Sequence, residues 1–227
     1  MGSQNLFIYW FYDVAPGAFV KTIAPFSLTF LALLIVVTLF VKIQRVTQEN
    51  HIREVDKKSY VYGVLLAVVL LTVIHVLPIL FGGVVILYAL FFDRKSLNVD
   101  YALLFSFLFF FGIADNMKII LPYEVTHSGH IFLFSALASQ FMSNVPAALL
   151  FVNFTSKWQA LLWGVNSGGF GSLFGSLANL IAYKIYVTNK GTNDNAVFTF
   201  KFLVMGYIAL FVSIGLYSML YGADVLL

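Results

Sequence analysis

The sequence predicts an all-α polytopic membrane protein containing a re-entrant helical hairpin and a broken transmembrane helix. Three observations lead there. The AVILMFWYC set makes up 61% of the 227 residues and charged residues only 10%, where a soluble domain averages roughly 25% charge. The apolar residues gather in runs that approach the ~20 residues a bilayer crossing needs, and mean hydropathy is +0.93. Two consecutive runs in the C-terminal half are interrupted by polar and small residues. Such a chain cannot cover a globular surface with polar groups, so its main solvent is lipid. Disorder, a nucleic-acid module and a secreted disulfide scaffold are excluded. With no cysteine there is no disulfide, thiolate metal site or cysteine nucleophile. The net charge of +3 orients loops rather than recruiting nucleic acid.

The elements follow in order. Residues 1–18 open abruptly with Gly2-Ser3-Gln4-Asn5 and no preceding span. Residues 19–98 read as a group of ordinary helices. Phe19 to Ile43 is the first clear span, and a polar loop over 44–59 carries charges of both signs. Tyr60 to Val76 is broken by Pro78, and Ile79 to Phe92 is a short third run ending at Asp93-Arg94-Lys95. Residues 99–227 differ in kind. After a run from Tyr101 to Ala114, the segment 131–154 is interrupted by Ser143-Asn144-Val145-Pro146, and 158–187 by a Gly/Ser/Asn stretch from Gly164 to Asn179. The final run, 198–221, is continuous. Irregular backbone at membrane depth is tolerated only where protein or a water-filled cavity satisfies it.

Ten of the thirteen Lys and Arg residues lie in or beside the loops 44–59, 93–95 and 184–201. All fall on one side if 131–154 enters and leaves by the same face, which makes that side cytoplasmic and the C-terminus external. A full span there would place Lys184 and Lys190 outside, so a hairpin is the preferred reading.

Pro146 lacks an N–H and disfavours helix at Val145, which predicts a break near Asn144 and a new half-helix from about Ala147. The break frees backbone groups, and Ser143 and Asn144 add side chains that donate and accept. The positive end of the half-helix suits an anion, and freed carbonyls with the Asn144 oxygen suit Na⁺. A proline-kinked helix with a Ser/Asn contact is the plainer alternative. In the second interruption, Asn166, Gly168, Gly175, Ser176 and Asn179 combine glycine, which permits unwound backbone, with more polar side chains than packing needs. Small-residue helix packing is the alternative, since Gly171 and Gly175 have its spacing.

Gly2-Ser3-Gln4-Asn5-Leu6-Phe7-Ile8-Tyr9 and Gly175-Ser176-Leu177-Ala178-Asn179-Leu180-Ile181-Ala182-Tyr183 both read G-S…N-L-x-x-Y with a one-residue gap. Repeats with interrupted hydrophobic segments are the sign of secondary transporters. The segment Ser139-Gln140-Phe141-Met142-Ser143-Asn144-Val145-Pro146-Ala147-Ala148 resembles the hairpin motif of the ion transporter superfamily, which includes anion permeases, citrate transporters, divalent-anion/sodium symporters and arsenite permeases. Gly164 to Lys184 resembles the motif on that family's broken helix. The resemblance implies ion-coupled transport of a small anion, such as citrate or succinate, by alternating access. Na⁺ or H⁺ would be the coupling ion, with no other cofactor. It places Ser143, Asn144, Gly175, Ser176 and Asn179 in the second half of a substrate and ion site, with Na⁺ at Ser143, Asn144 and Ser176; the reading of the residues themselves adds Val145, Pro146, Asn166 and Gly168 to the candidates. Ser3 and Asn5 become a remnant of the first half, at the end of a first-repeat broken helix. The chain then reads as the C-terminal portion of a transporter. Its expected partners are the small anionic substrate, the lipid bilayer, a missing N-terminal repeat or separate half-transporter, and a second copy in a homodimer. The expected location is a prokaryotic cytoplasmic membrane.

Two other readings stay open. A sodium/proton antiporter or arsenite permease of the same superfamily is one, and an antiporter would need a membrane carboxylate, for which Asp115 is the candidate. A non-transporting subunit or fragment that pairs with an N-terminal half is the other. Asp115 reads first as the interfacial partner of Lys118, His75 as an interfacial histidine, and His127, His130 and Glu124 as a solvated loop. Nothing in the sequence suggests an enzyme.

Overall fold

A computed structural model of the protein describes residues 2–40, 57–73, 76–97, 101–120, 124–189 and 194–222. The loop at 44–56, His75, Lys190, the start of the loop from Pro122, the side chain of Asp115 and the residues after 222 lie outside that description. The described residues form α1 (Ser3–Phe11), α2 (Pro16–Phe40), α3 (Lys57–Val73), α4 (Leu80–Phe92), α5 (Tyr101–Ile120), α6 (Ser128–Met142), α7 (Asn144–Phe151), α8 (Trp158–Gly168), α9 (Leu177–Thr188) and α10 (Asn195–Tyr221). Single 3₁₀ turns follow α4 and α7, and there is no strand among the described residues. Two of these helices, α2 and α10, are long and apolar enough to cross a membrane, whereas α3 and α4 are apolar but shorter. Asp115 does not end a helix: α5 continues to Ile120.

The chain divides into two compact units, one of Met1–Ser27 with Ala102–Leu227 and one of Leu28–Tyr101. The N-terminal segment therefore belongs to the same unit as the interrupted helices. In the smaller unit α3 packs on α4. The Tyr62 and Tyr88 rings meet edge-on at 6.3 Å, and the Tyr62 hydroxyl bonds Asp93. The apolar side chains of α4 otherwise stand exposed, as a surface facing lipid or another apolar surface would.

The larger unit is organised by α6 against α8. A Cβ on Gly164 would lie 2.5 Å from the Phe132 carbonyl, and one on Gly168 would lie 2.6 Å from that of Ala136. Only glycine permits so close an approach. Around this seam Ile131, Phe132, Leu161, Leu162 and Val165 are fully buried. Phe132 stacks on Tyr217 of α10 at 3.9 Å, and Trp163 donates its indole N–H to the Thr22 carbonyl of α2 at 3.0 Å.

Between α6 and α7 the chain reverses at Ser143, whose φ of 73° puts a non-glycine residue in the left-handed region. The second helix starts at Asn144, three residues earlier than the proline argument places it. Pro146 is the third residue of α7, within the first turn, where an amide N–H has no intrahelical acceptor anyway. The two arms rejoin at their far end. The Val125 N–H donates to Phe154 O at 2.7 Å, and the Thr155 hydroxyl donates to Val125 O at 2.9 Å. Tyr12, just beyond α1, aims its hydroxyl at Thr155 O (2.6 Å) and Val152 O (3.0 Å).

Burial pushes the Tyr12 phenol far above its usual range, and the charge of Glu124 adds to this. The folded protein therefore keeps this donor protonated, whereas an unfolded chain ionises it near 10. Stability from Tyr12 is constant below that pH and falls above it. Tyr12→Phe should lower stability by about 1–2 kcal/mol. Thermal melts of the two proteins should run parallel from pH 6 to 9 and converge only above roughly pH 10.

Candidate functional site: the hairpin tip against the unwound segment

The site lies where the α6–α7 tip meets the chain between α8 and α9. Helix α8 stops at Gly168, and residues 169–176 are unwound. Gly171 has a φ of 87°, which L side chains rarely adopt. A Cβ on Gly175 would lie 2.7 Å from Gly168 O and 2.9 Å from Phe170 O. Gly206 on α10 sits equally close, its Cβ position 2.7 Å from Gly171 O. The loop is thus clamped from both sides. Helix α9 begins where the Ser176 hydroxyl accepts from the Asn179 N–H at 3.3 Å, an ordinary serine N-cap.

Hydrogen bonds fasten the tip to this segment. The Asn144 N–H donates to Gly175 O at 3.0 Å. Asn179 donates its amide to Gly169 O (2.9 Å) and Ser172 O (3.0 Å), holding the loop onto the start of α9. Gln140, one turn before the tip, does the same from α6. Its Nε2 donates to Gly168 O (2.8 Å) and Phe170 O (3.0 Å), and its Oε1 accepts from the Ser172 N–H (2.8 Å). Ser172 in turn donates its hydroxyl to Gln140 O at 2.8 Å. Gln140 was not among the residues the sequence singled out. Its signal was present: an amide side chain in an apolar helix must find partners, because burial without them costs several kcal/mol.

Helix α1 supplies the other wall, packing on α7 and α8. Asn166 donates to Asn5 Oδ1 at 2.6 Å and to Leu162 O at 2.7 Å, and Gln4 donates to Asn166 Oδ1 at 3.4 Å. The Gly169 N–H reaches Asn166 O at 3.2 Å, so the two polar clusters share the residue at which the helix unwinds. The internal repeat gains a structural register. Asn5 and Asn179 are each the third residue of their helices, and Gly2 stands at the N-cap position that Ser176 fills. The one-residue gap falls at the cap, and Ser3 is not the counterpart of Ser176. Ser3 is exposed and belongs to neither cluster.

Asn5, Asn144, Asn166, Gly168, Gly175, Ser176 and Asn179 are therefore gathered together with Gln140. Ser143 sits half-buried at the turn, and Val145 and Pro146 contribute backbone and packing. Asn144 is 7% exposed, and on α8 the fully buried Ser167, between Asn166 and Gly168, has a hydroxyl with no hydrogen-bond partner among the described residues. A Cβ on Gly169 would lie 3.0 Å from the Asn144 Nδ2. The Asn144 amide, beside unwound backbone and the first turns of α7 and α9, borders a neutral binding surface. It offers donors at two helix N-termini and carbonyl and amide oxygens beside them. His127 and His130 lie elsewhere, at the start of α6, with ring centroids 4.6 Å apart. No group of three metal-binding side chains occurs among the described residues.

The chain is similar to an uncharacterized transporter of Methanocaldococcus jannaschii, 29% identical over 80% of this chain and 52% of that protein. It is also similar to inner membrane protein YbiR of Escherichia coli, 37% identical over 53% of this chain and 35% of that protein. It thus spans about half the length of one relative, and the match covers about a third of the other. The chain matches no family model and no solved structure.

Proposed function

We propose that the chain is the C-terminal part of an ion-coupled secondary transporter for a small anion, with a di- or tricarboxylate such as succinate or citrate as cargo. The observation that carries this reading is the hairpin tip held against the unwound segment by the Asn144 N–H bond to Gly175 O. Hairpin tip, helix start and carbonyl-lined loop meet there without an ionisable group in the cluster. A carboxylate would take the N–H donors of the α7 and α9 first turns. A co-transported Na⁺ would take oxygens of Ser143, Asn144 and Ser176, so that each ion offsets the other's charge. The relative named as a transporter supports the reading at the level of class. In it, α6 and α7 form a re-entrant hairpin and the larger unit carries the cargo by alternating access.

The test is uptake into membrane vesicles from cells carrying the chain on its native flanking DNA. Labelled succinate and citrate should accumulate saturably in an inward Na⁺ gradient. Asn144→Ala should reduce uptake at least tenfold while the protein remains in the membrane, and so should Asn179→Ala. Uptake that ignores the gradient, or that persists unchanged in both variants, overturns the reading.

A further inference from the structure

A cavity of about 290 Å³ lies among Ser128, Lys157, Gln159, Ala160, Tyr217 and Tyr221. Ser128 opens α6, and the tip lies at the far end of that 15-residue helix, which at 1.5 Å per residue is about 20 Å away. The cavity is therefore separate from the tip site. Its size is at the lower edge of small-ligand pockets, which begin at roughly 300 Å³.

Its chemistry is one-sided. The Lys157 ammonium has no ion-pair partner among the described residues, and the side chains of Ser128 and Gln159 have no hydrogen-bond partners there either. Tyr217 and Tyr221 of α10 line the same space. Neither helix that begins here is capped by a side chain: His127 before α6 and Lys157 before α8 both leave the first-turn N–H groups without one. A lysine, an amide, hydroxyls and two uncapped helix starts border one small cavity. Lys157 and Gln159 line it from exposed positions; the acidic side chains at this end, Glu124 and Asp13, are exposed as well but do not line it.

We propose that this cavity is a second anion site, which takes a phosphate or carboxylate group. The group comes from a free small anion or from the headgroup of an anionic lipid. Lys157 supplies the charge, and Ser128, Gln159 and the first turns of α6 and α8 supply hydrogen bonds. This inference does not depend on the transport reading.

The test titrates inorganic phosphate into the full chain held in phosphatidylcholine nanodiscs. Intrinsic tryptophan fluorescence is followed, since Trp158 adjoins Lys157. A saturable change is expected. Lys157→Gln should weaken the half-saturating concentration at least tenfold, Lys157→Arg should preserve it, and Asn144→Ala should leave it unchanged. Repeating the titration with anionic phosphatidylglycerol in the disc separates the sources. A weakened response assigns the site to a lipid headgroup and an unchanged one to a free anion, and both support the site. A change that never saturates, one equally strong in Lys157→Gln, or one lost only in Asn144→Ala overturns it.

Discussion

Gly168→Ala should unseat the hairpin from the broken helix. An added Cβ would lie 2.5 Å from Ser139 Cβ and 2.6 Å from Ala136 O. One of these neighbours is α6 backbone, so no rotamer change removes the overlap and α6 must move away from α8. Alanine gains up to about 1 kcal/mol in helix propensity over glycine. Overpacking a tight seam typically costs about 1–3 kcal/mol and sometimes more. Fully buried Ile131, Phe132, Leu161 and Leu162 would all be strained by the shift, so the loss should win, with a net destabilisation of about 2 kcal/mol. The displacement would also carry Gln140 from the Gly168 carbonyl, and uptake should fall further than the change in melting temperature suggests. Ser139→Gly added to Gly168→Ala removes one of the two overlaps and should restore only part of the stability, because Ala136 O remains. Full rescue by Ser139→Gly, or a melting temperature unchanged in Gly168→Ala, would show that α6 and α8 are not packed this tightly.

The features legible in the sequence were those with a strong local cause. The break at Ser143 was readable because Pro146 and two polar residues interrupt an apolar run. The unwound segment was readable because glycines crowd 168–175. The pairing of Asn5 with Asn166 was not, since the residues are 161 positions apart and only tertiary packing joins them. The position of the α7 start was missed because Pro146 was weighed as a helix breaker. Placed within the first turn, it costs no hydrogen bond. The G-S…N repeat pointed to two helix starts but misplaced its gap, because sequence aligns residue types whereas the structure aligns the third helical position of Asn5 and Asn179. Gln140 was passed over for a different reason. It lies inside a regular helix, and its partners are backbone groups of the unwound segment, which carry no sequence signature.

Gln140 therefore carries the most informative second prediction. Its amide replaces the helical hydrogen bonds that the chain loses on leaving α8, by serving Gly168 O, Phe170 O and the Ser172 N–H together. Gln140→Ala removes all three. Each is worth about 0.5–1.5 kcal/mol net, and more where the orphaned group stays away from water, so the unwound segment should lose about 3 kcal/mol of local stability. Amide exchange across 169–176 should then quicken by roughly a hundredfold, since each 1.4 kcal/mol is a factor of ten, while exchange in α10 remains slow. Gln140→Glu distinguishes the donors from the shape. An ionised glutamate still accepts from the Ser172 N–H but turns oxygen lone pairs toward Gly168 O and Phe170 O. Those carbonyls repel the carboxylate, whereas the protonated acid can donate one bond. Protection of 169–176 in Gln140→Glu should accordingly be poor at pH 8 and improve once the acid is protonated at low pH, whereas Gln140→Ala should show no such recovery. Exchange at 169–176 that stays slow in both variants would remove Gln140 from its place as the brace between hairpin and broken helix.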